Sequence, residues 1–298
     1  MTLARLLRTA DGGWRAPWRL LVFVVALVVG LLVAQGIFAP LVLGVARVAG
    51  VHLSLGSTII CVALLLAHLA ALRWFDDRPW RDVAMGQGSL RPSALLTGTL
   101  SGTLGIGVPI LLLVGIGWLA LRAAPQGSSL ALALKLLVFL APAALWEELA
   151  FRGYALSVLA EAWNARAAVV ATSLVFGLIH LSNPGADWRS ILLVTLAGVW
   201  LGVVRMATGS LWAAWLAHLA WNWTMAGLWH APVSGIGMDL VDWRLTDAGP
   251  DWATGGQWGP EGGAFAALGM LGGSLWFVAR PRLGNRIHGD SAETSGYS

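Results

Sequence analysis

Six residues in the middle of the chain have the types and spacing to do chemistry. Glu147 and Glu148 stand side by side with Arg152 four residues after the second, His180 follows Phe176 by four, and His218 precedes Asn222 by four. On a helix, residues four apart share a face, whereas neighbours diverge by about 100°. His218 and Asn222 can therefore point into one cavity. Glu147 and Glu148 must divide their roles: one can face a cavity while the other holds Arg152, and an acid four residues before a base is the favourable order. One carboxylate with two histidines is an inventory for activating water. A glutamate takes the proton and a histidine shares it, while the second histidine and Asn222 donate hydrogen bonds to a developing oxyanion. Glu148, His180 and His218 could instead hold Zn²⁺ with one position open to water. Both are routes to peptide-bond hydrolysis. No serine or cysteine is placed to suggest a covalent nucleophile.

The elements that must position these groups are membrane helices. Of 298 residues, 57% are hydrophobic and 11% are Asp, Glu, Lys or Arg, against about 45–50% and about 25% in ordinary soluble domains. Mean hydropathy is +0.73. So few charges cannot cover a water-facing surface, and a disordered or nucleic-acid-binding chain needs more polar sequence still. Apolar stretches near the roughly 20 residues that cross a bilayer run over 20–46, 48–72, 92–121, 167–186, 206–238 and 262–279. A further span between Lys135 and Glu161 carries Glu147, Glu148 and Arg152, and a short one covers 190–204. The expected fold is therefore an all-α polytopic membrane protein with about eight transmembrane helices. With the N-terminus inside, most of the 19 lysines and arginines fall on the inner side. Arg47, Arg122, Lys135, Arg189 and Arg244 fall outside, and Arg152 lies within the membrane. The positive-inside rule then puts both termini in the cytoplasm. The first apolar run is longer than the core of a signal peptide.

Four segments are expected. Residues 1–125 hold the first three helices, 126–230 the catalytic helices, 231–263 an acidic outer loop and 264–298 the last helix with a polar cytoplasmic tail. Glu148, His180 and His218 each lie 13 or 14 residues from an inner-side charge (Glu161, Arg166, Arg205), so they arrive at a common depth on three helices. Ionisable groups at such depth are expensive and mark function. His68, Lys135 and Cys61 stand apart from this set and are read as structural, Phe176 as a packing wall. Glycines 102, 105, 107, 115 and 117 are read as permitting close helix approach. Most of the 18 tryptophans are expected at membrane interfaces or in packing.

At these residues the sequence resembles the CPBP, or Abi, intramembrane proteases, which include the type II CAAX prenyl endopeptidases. The family pattern EExxxR, FxxxH and HxxxN or HxxxD stands complete as Glu147-Glu148 to Arg152, Phe176 to His180 and His218 to Asn222. The resemblance covers about residues 130–229 and implies an all-helical endopeptidase that cleaves near or within the membrane. It implies Glu147 as the water-activating base acting with His180, Glu148 as its supporting acid paired with Arg152, and His218 and Asn222 as oxyanion stabilisers. The family has been described both as metalloproteases and as glutamate proteases, so Zn²⁺ stays an alternative. The implied partners are a membrane-associated peptide or protein substrate and the lipid bilayer, with no nucleic acid, and the implied location is a plasma membrane, a bacterial one by default. A non-enzymatic transporter or scaffold that uses the cluster as a proton or ion relay is the rival; a relay needs titratable groups, and Asn222 is not one.

Overall fold

The computed structural model describes residues 7–9, 12–49, 54–123, 130–237 and 243–279. The tail from 284, Arg5, Arg280, Arg282, Arg286, Asp239 and Asp242 lie outside them. The fold is mostly helical. Helix α1 (Ala16–Val33) has proline in its first turn and continues through a π-turn (Ala34–Phe38) into Ala39–Ala49. Helix α2 (Leu55–Ala70) is lengthened by a second π-turn, Ala71–Asp76, and α3 spans Pro92–Gly115. Then follow α4 (Leu130–Arg152), α5 (Tyr154–Ala162), α6 (Ala165–Ile179), α7 (Trp188–Thr208), α8 (Leu211–Trp223) and α9 (Ala264–Ala279).

Short polar residues start the helices that carry the site. Asn164 accepts from the Ala167 amide ahead of α6, Asp187 and Ser190 form a capping box at α7, and Ser210 accepts from the Ala213 amide at α8. Each supplies an acceptor to amides that a first turn leaves without one. The Ser190 amide, accepted by the Asp187 carboxylate, holds that group below the usual carboxylate range.

Among the described residues, five helices are long and apolar enough to cross a membrane: Ala16–Val48, Leu55–Asp76, Pro92–Gly115, Ala165–Ser182 and Trp188–Thr208. Ala264–Ala279 is apolar but shorter. The remaining expected spans are the helices that carry polar groups, α4 with Lys135, Glu147, Glu148 and Arg152, and the 13-residue α8. The short span expected at 190–204 is instead a full 21-residue helix.

Three sequence expectations are corrected. The span between Lys135 and Glu161 is two helices, because the backbone turns at Gly153 (φ −83°, ψ −121°). A methyl at Gly153 would collide with the His68 ring, and His68 Nε2 accepts from the Tyr154 amide at 3.0 Å, capping α5. His68 Nδ1 donates to the Leu64 carbonyl at 2.7 Å, so both ring nitrogens are taken by backbone and the residue is structural. Second, His180 is not mid-helix: it follows the last residue of α6, in a 3₁₀ turn, His180–Ser182. Third, the fold is not purely helical. Leu119–Ala123 (β1) pairs antiparallel with Trp243–Asp247 (β2), Arg122 opposite Arg244. Non-helical backbone is tolerated where it leaves the lipid, and the pairing puts two arginines assigned to the outer side at the same end. At another end Arg19 bridges Asp76 and Glu161, 2.7 Å from each, and Arg78 pairs with Glu161.

The core sits where α8 packs on α3 and α4. Methyls at Gly98 and Gly102 would run into the carbonyl oxygens of Ala213 and Ala217, and one at Gly269 of α9 into that of Gly105. Backbone meets backbone there, as small residues allow in membranes. Gly115 and Gly117 have no such neighbour; Gly117, at φ +79°, turns the chain after α3. Gly102→Val should therefore lower the thermal midpoint in detergent, by about 1–3 kcal/mol of overpacking strain. Gly115→Ala should stay within about 0.5 kcal/mol of the parent. Equal midpoints for the two would refute this packing.

Candidate functional site

Helix α4 delivers its polar residues at its C-terminal end. Arg152 is buried and donates Nη1 to Glu148 Oε1 at 3.3 Å and Nη2 to the Gly198 carbonyl at 3.1 Å. Its guanidinium lies 4.3 Å from the centroid of the Phe176 ring, a contact that strengthens away from water. The Arg152 carbonyl accepts Nε of Arg205 at 3.2 Å, and Arg205 Nη2 reaches Ser157 Oγ at 2.7 Å. A cation at a helix C-terminus is well placed against the carbonyls left there. Gly198 admits this packing, since a methyl would meet Ser173.

Glu148 is fully buried, and its Oε1 also accepts from His218 Nδ1 at 2.9 Å. A carboxylate that accepts from a guanidinium offers His218 only an acceptor, so Nδ1 carries a hydrogen and Nε2 is the nitrogen left to other partners. That nitrogen is 3.9 Å from Glu147 Oε2, too far for a direct hydrogen bond. Glu148 is thus the glutamate that holds Arg152, and Glu147 is the more accessible, its side chain 16% exposed. The resemblance paired Glu147 with His180; the ring beside Glu147 here is that of His218.

His180 is buried at the end of α6, its Nδ1 donating to the Phe176 carbonyl at 2.7 Å. A carbonyl can only accept, so Nε2 is the nitrogen left to act. The Phe176 ring lies 4.8 Å from His180 and 6.2 Å from His218, centroid to centroid. It is the packing wall that separates and orients the two.

His180, His218 and Asn222 line one cavity of about 30 Å³, together with Phe176, Val194, Ala197, Trp200, Leu201, Trp221, Ser234 and Glu261. That is room for about one water molecule. Glu148 of α4 joins this group through His218, although the residue count from Glu148 to Glu161 runs through the turn at Gly153 and is no measure of depth. Seven of the eleven lining residues were not singled out in the sequence, Ser234 and Glu261 among them. Glu261 fell in the expected acidic outer loop, yet it is buried, its Oε2 accepting Trp221 Nε1 at 3.0 Å. Its Oε1 accepts both the amide and hydroxyl of Ser234, at 2.5 and 2.9 Å. The available signal was its setting: Gly255, Gly256, Trp258, Gly259, Gly262 and Gly263 around a single glutamate describe a tightly packed turn, not an open loop.

Among the described residues no three His, Cys, Asp or Glu side chains group as metal ligands; Glu148 Oε1 is taken by Arg152 and His218, while its Oε2 is buried with no hydrogen-bond partner.

With this geometry in place, the family comparison bears on the same helices. Residues 128–224 match the family model described as Rce1-like, type II CAAX prenyl endopeptidase Rce1-like. This segment is similar to the Rce1-like family. It contains Glu147, Glu148, Arg152, His180, His218 and Asn222, and agrees with the resemblance carried by the three motifs. The match covers about a third of the chain and ends before Ser234 and Glu261. No curated protein and no solved structure matches the chain.

Replacing Arg152 by Ala leaves Glu148 buried without its cation, which costs about 3–5 kcal/mol. The thermal midpoint in detergent should fall accordingly, and an unchanged midpoint would show that the pair is not what holds α4.

Proposed function

We propose that the chain is a multi-pass intramembrane endopeptidase that hydrolyses a peptide bond in a membrane-associated protein or peptide. The single observation that carries this reading is the meeting of three motif elements: His180 of the α6 end and His218 and Asn222 of α8 line one water-sized cavity, and His218 is tied directly to Glu148 of α4, all within the segment that matches the Rce1-like family. The arginine-rich end lies in the cytoplasm by the positive-inside rule, and α4, α8 and α9 complete eight spans.

Glu147 is the general base. A water bridging Glu147 Oε2 and His218 Nε2 would sit across their 3.9 Å gap, the separation at which a bridging water replaces a direct bond. Glu148 holds His218 through Nδ1, with Nε2 left for the water, and Arg152 keeps Glu148 in place. As Glu147 takes the proton, the water oxygen attacks the peptide carbonyl. Asn222 donates its amide hydrogens to the oxyanion. His180, which lines the cavity, takes up at Nε2 the proton that Glu147 has removed from water and passes it to the departing amine. Phe176 keeps both rings in register.

Glu147→Gln and His180→Ala should each lower kcat by at least about a hundredfold while the protein still accumulates in the membrane. Turnover at the parent rate in either variant would remove that residue from the mechanism. Activity of the purified protein should survive exhaustive chelation. Loss of activity that zinc alone restores would require a different arrangement of Glu148, His180 and His218.

A further inference from the structure

Glu261 lies outside the matched segment, in a loop that carries none of the three motifs, yet it forms part of the wall of the same cavity as His180, His218 and Asn222. Burying a carboxylate is costly, and among the described residues Glu261 forms no ion pair with lysine or arginine. Three neutral donors stabilise it instead: Trp221 Nε1, the Ser234 amide and the Ser234 hydroxyl. An inert link between a loop and a helix can be built from apolar groups at lower cost.

Both partners lead to the site. Trp221 immediately precedes Asn222 on α8. Ser234 sits in the left-handed region at φ +50°, a conformation that a non-glycine residue keeps only when its surroundings impose it. Its carbonyl accepts Asn183 Nδ2 at 3.1 Å, three residues beyond His180. The next residue, Gly235, lies so close to the Pro184 carbonyl that a methyl would collide with it. The 231–236 turn is therefore clamped between the segment that follows His180 and Glu261.

We propose that Glu261 is a positioning residue of this site. Through Trp221 it sets the part of α8 that carries Asn222, and through Ser234 it holds the 231–236 turn closed over the cavity beside His180. The role in turnover rests on the protease reading; the closure of the turn does not.

Two readouts separate these. Hydrogen exchange on the purified protein in detergent should show the Ser234 amide protected in the parent and at least roughly tenfold less protected in Glu261→Gln, since an amide offers that pair of donors a weaker acceptor than a carboxylate. Unchanged protection overturns the clamp, whether or not a substrate is cleaved. On a peptide that the parent cleaves, Glu261→Gln should lower kcat by roughly tenfold or more at little change in KM, and Glu261→Asp should recover part of it. If Glu261→Gln does not fold, Ser234→Ala and Trp221→Phe carry the test, each expected to lower kcat severalfold. A lowered thermal midpoint with parental kcat in the folded variants would make Glu261 a brace and overturn its positioning role. If the parent cleaves nothing while the exchange result holds, the clamp stands and the protease reading fails.

Discussion

Glu148 and Arg152 are withdrawn from water together, one turn apart near the end of α4, and the arrangement of the surrounding helices follows from what that pair demands. An isolated charge among apolar helices is untenable, and further hydrogen bonds offset part of the cost of burying a pair. Arg152 also donates to the Gly198 carbonyl and lays its face on Phe176. Glu148 accepts His218 at Oε1, while its Oε2 is buried with no partner. Helices α6, α7 and α8 are thereby brought to the same few ångströms of α4, by polar contacts that apolar packing alone would not specify.

The geometry of the candidate site follows from the same pair. By accepting from His218 Nδ1, Glu148 fixes which nitrogen of that ring is turned to other partners, and Glu147 lies 3.9 Å from that nitrogen. The second histidine is fixed differently, by the backbone carbonyl of Phe176 on its own helix. Two rings with opposite supports, one a buried carboxylate and the other a backbone carbonyl, share one aromatic wall. The loop that follows α8 then closes the cavity with Glu261 and Ser234. Carbonyl-to-glycine contacts between α3 and α8, and between α3 and α9, draw the bundle close enough for so small a cavity to form.

Much of this was legible in the sequence because membrane insertion penalises polar residues so heavily that those retained stand out. The i,i+4 spacings gave the division between Glu147 and Glu148, and the shared face of His218 and Asn222. They could not give the face that each helix turns to its neighbours, so nothing in the spacing chose between His180 and His218 as the ring beside Glu147. The turn at Gly153 was hidden because a glycine within an apolar run is ordinary in membrane helices; only the His68 ring packed against it makes the break necessary. Glu261 was hidden for the opposite reason. It lies among aspartates in a segment whose composition reads as solvated, and its burial depends on a long-range contact with Trp221. The β1–β2 ribbon likewise joins segments more than a hundred residues apart.

The central claim is that water, held by Glu147 and His218, attacks a peptide bond directly. It is tested by supplying the purified protein, reconstituted in lipid, with a membrane-anchored peptide in H₂¹⁸O containing hydroxylamine, and weighing the products. Direct attack by water predicts a single new carboxylate carrying one ¹⁸O atom and no hydroxamate. A hydroxamate product would reveal a covalent acyl intermediate, and intact peptide would show that the cluster does not hydrolyse at all; either result contradicts the account.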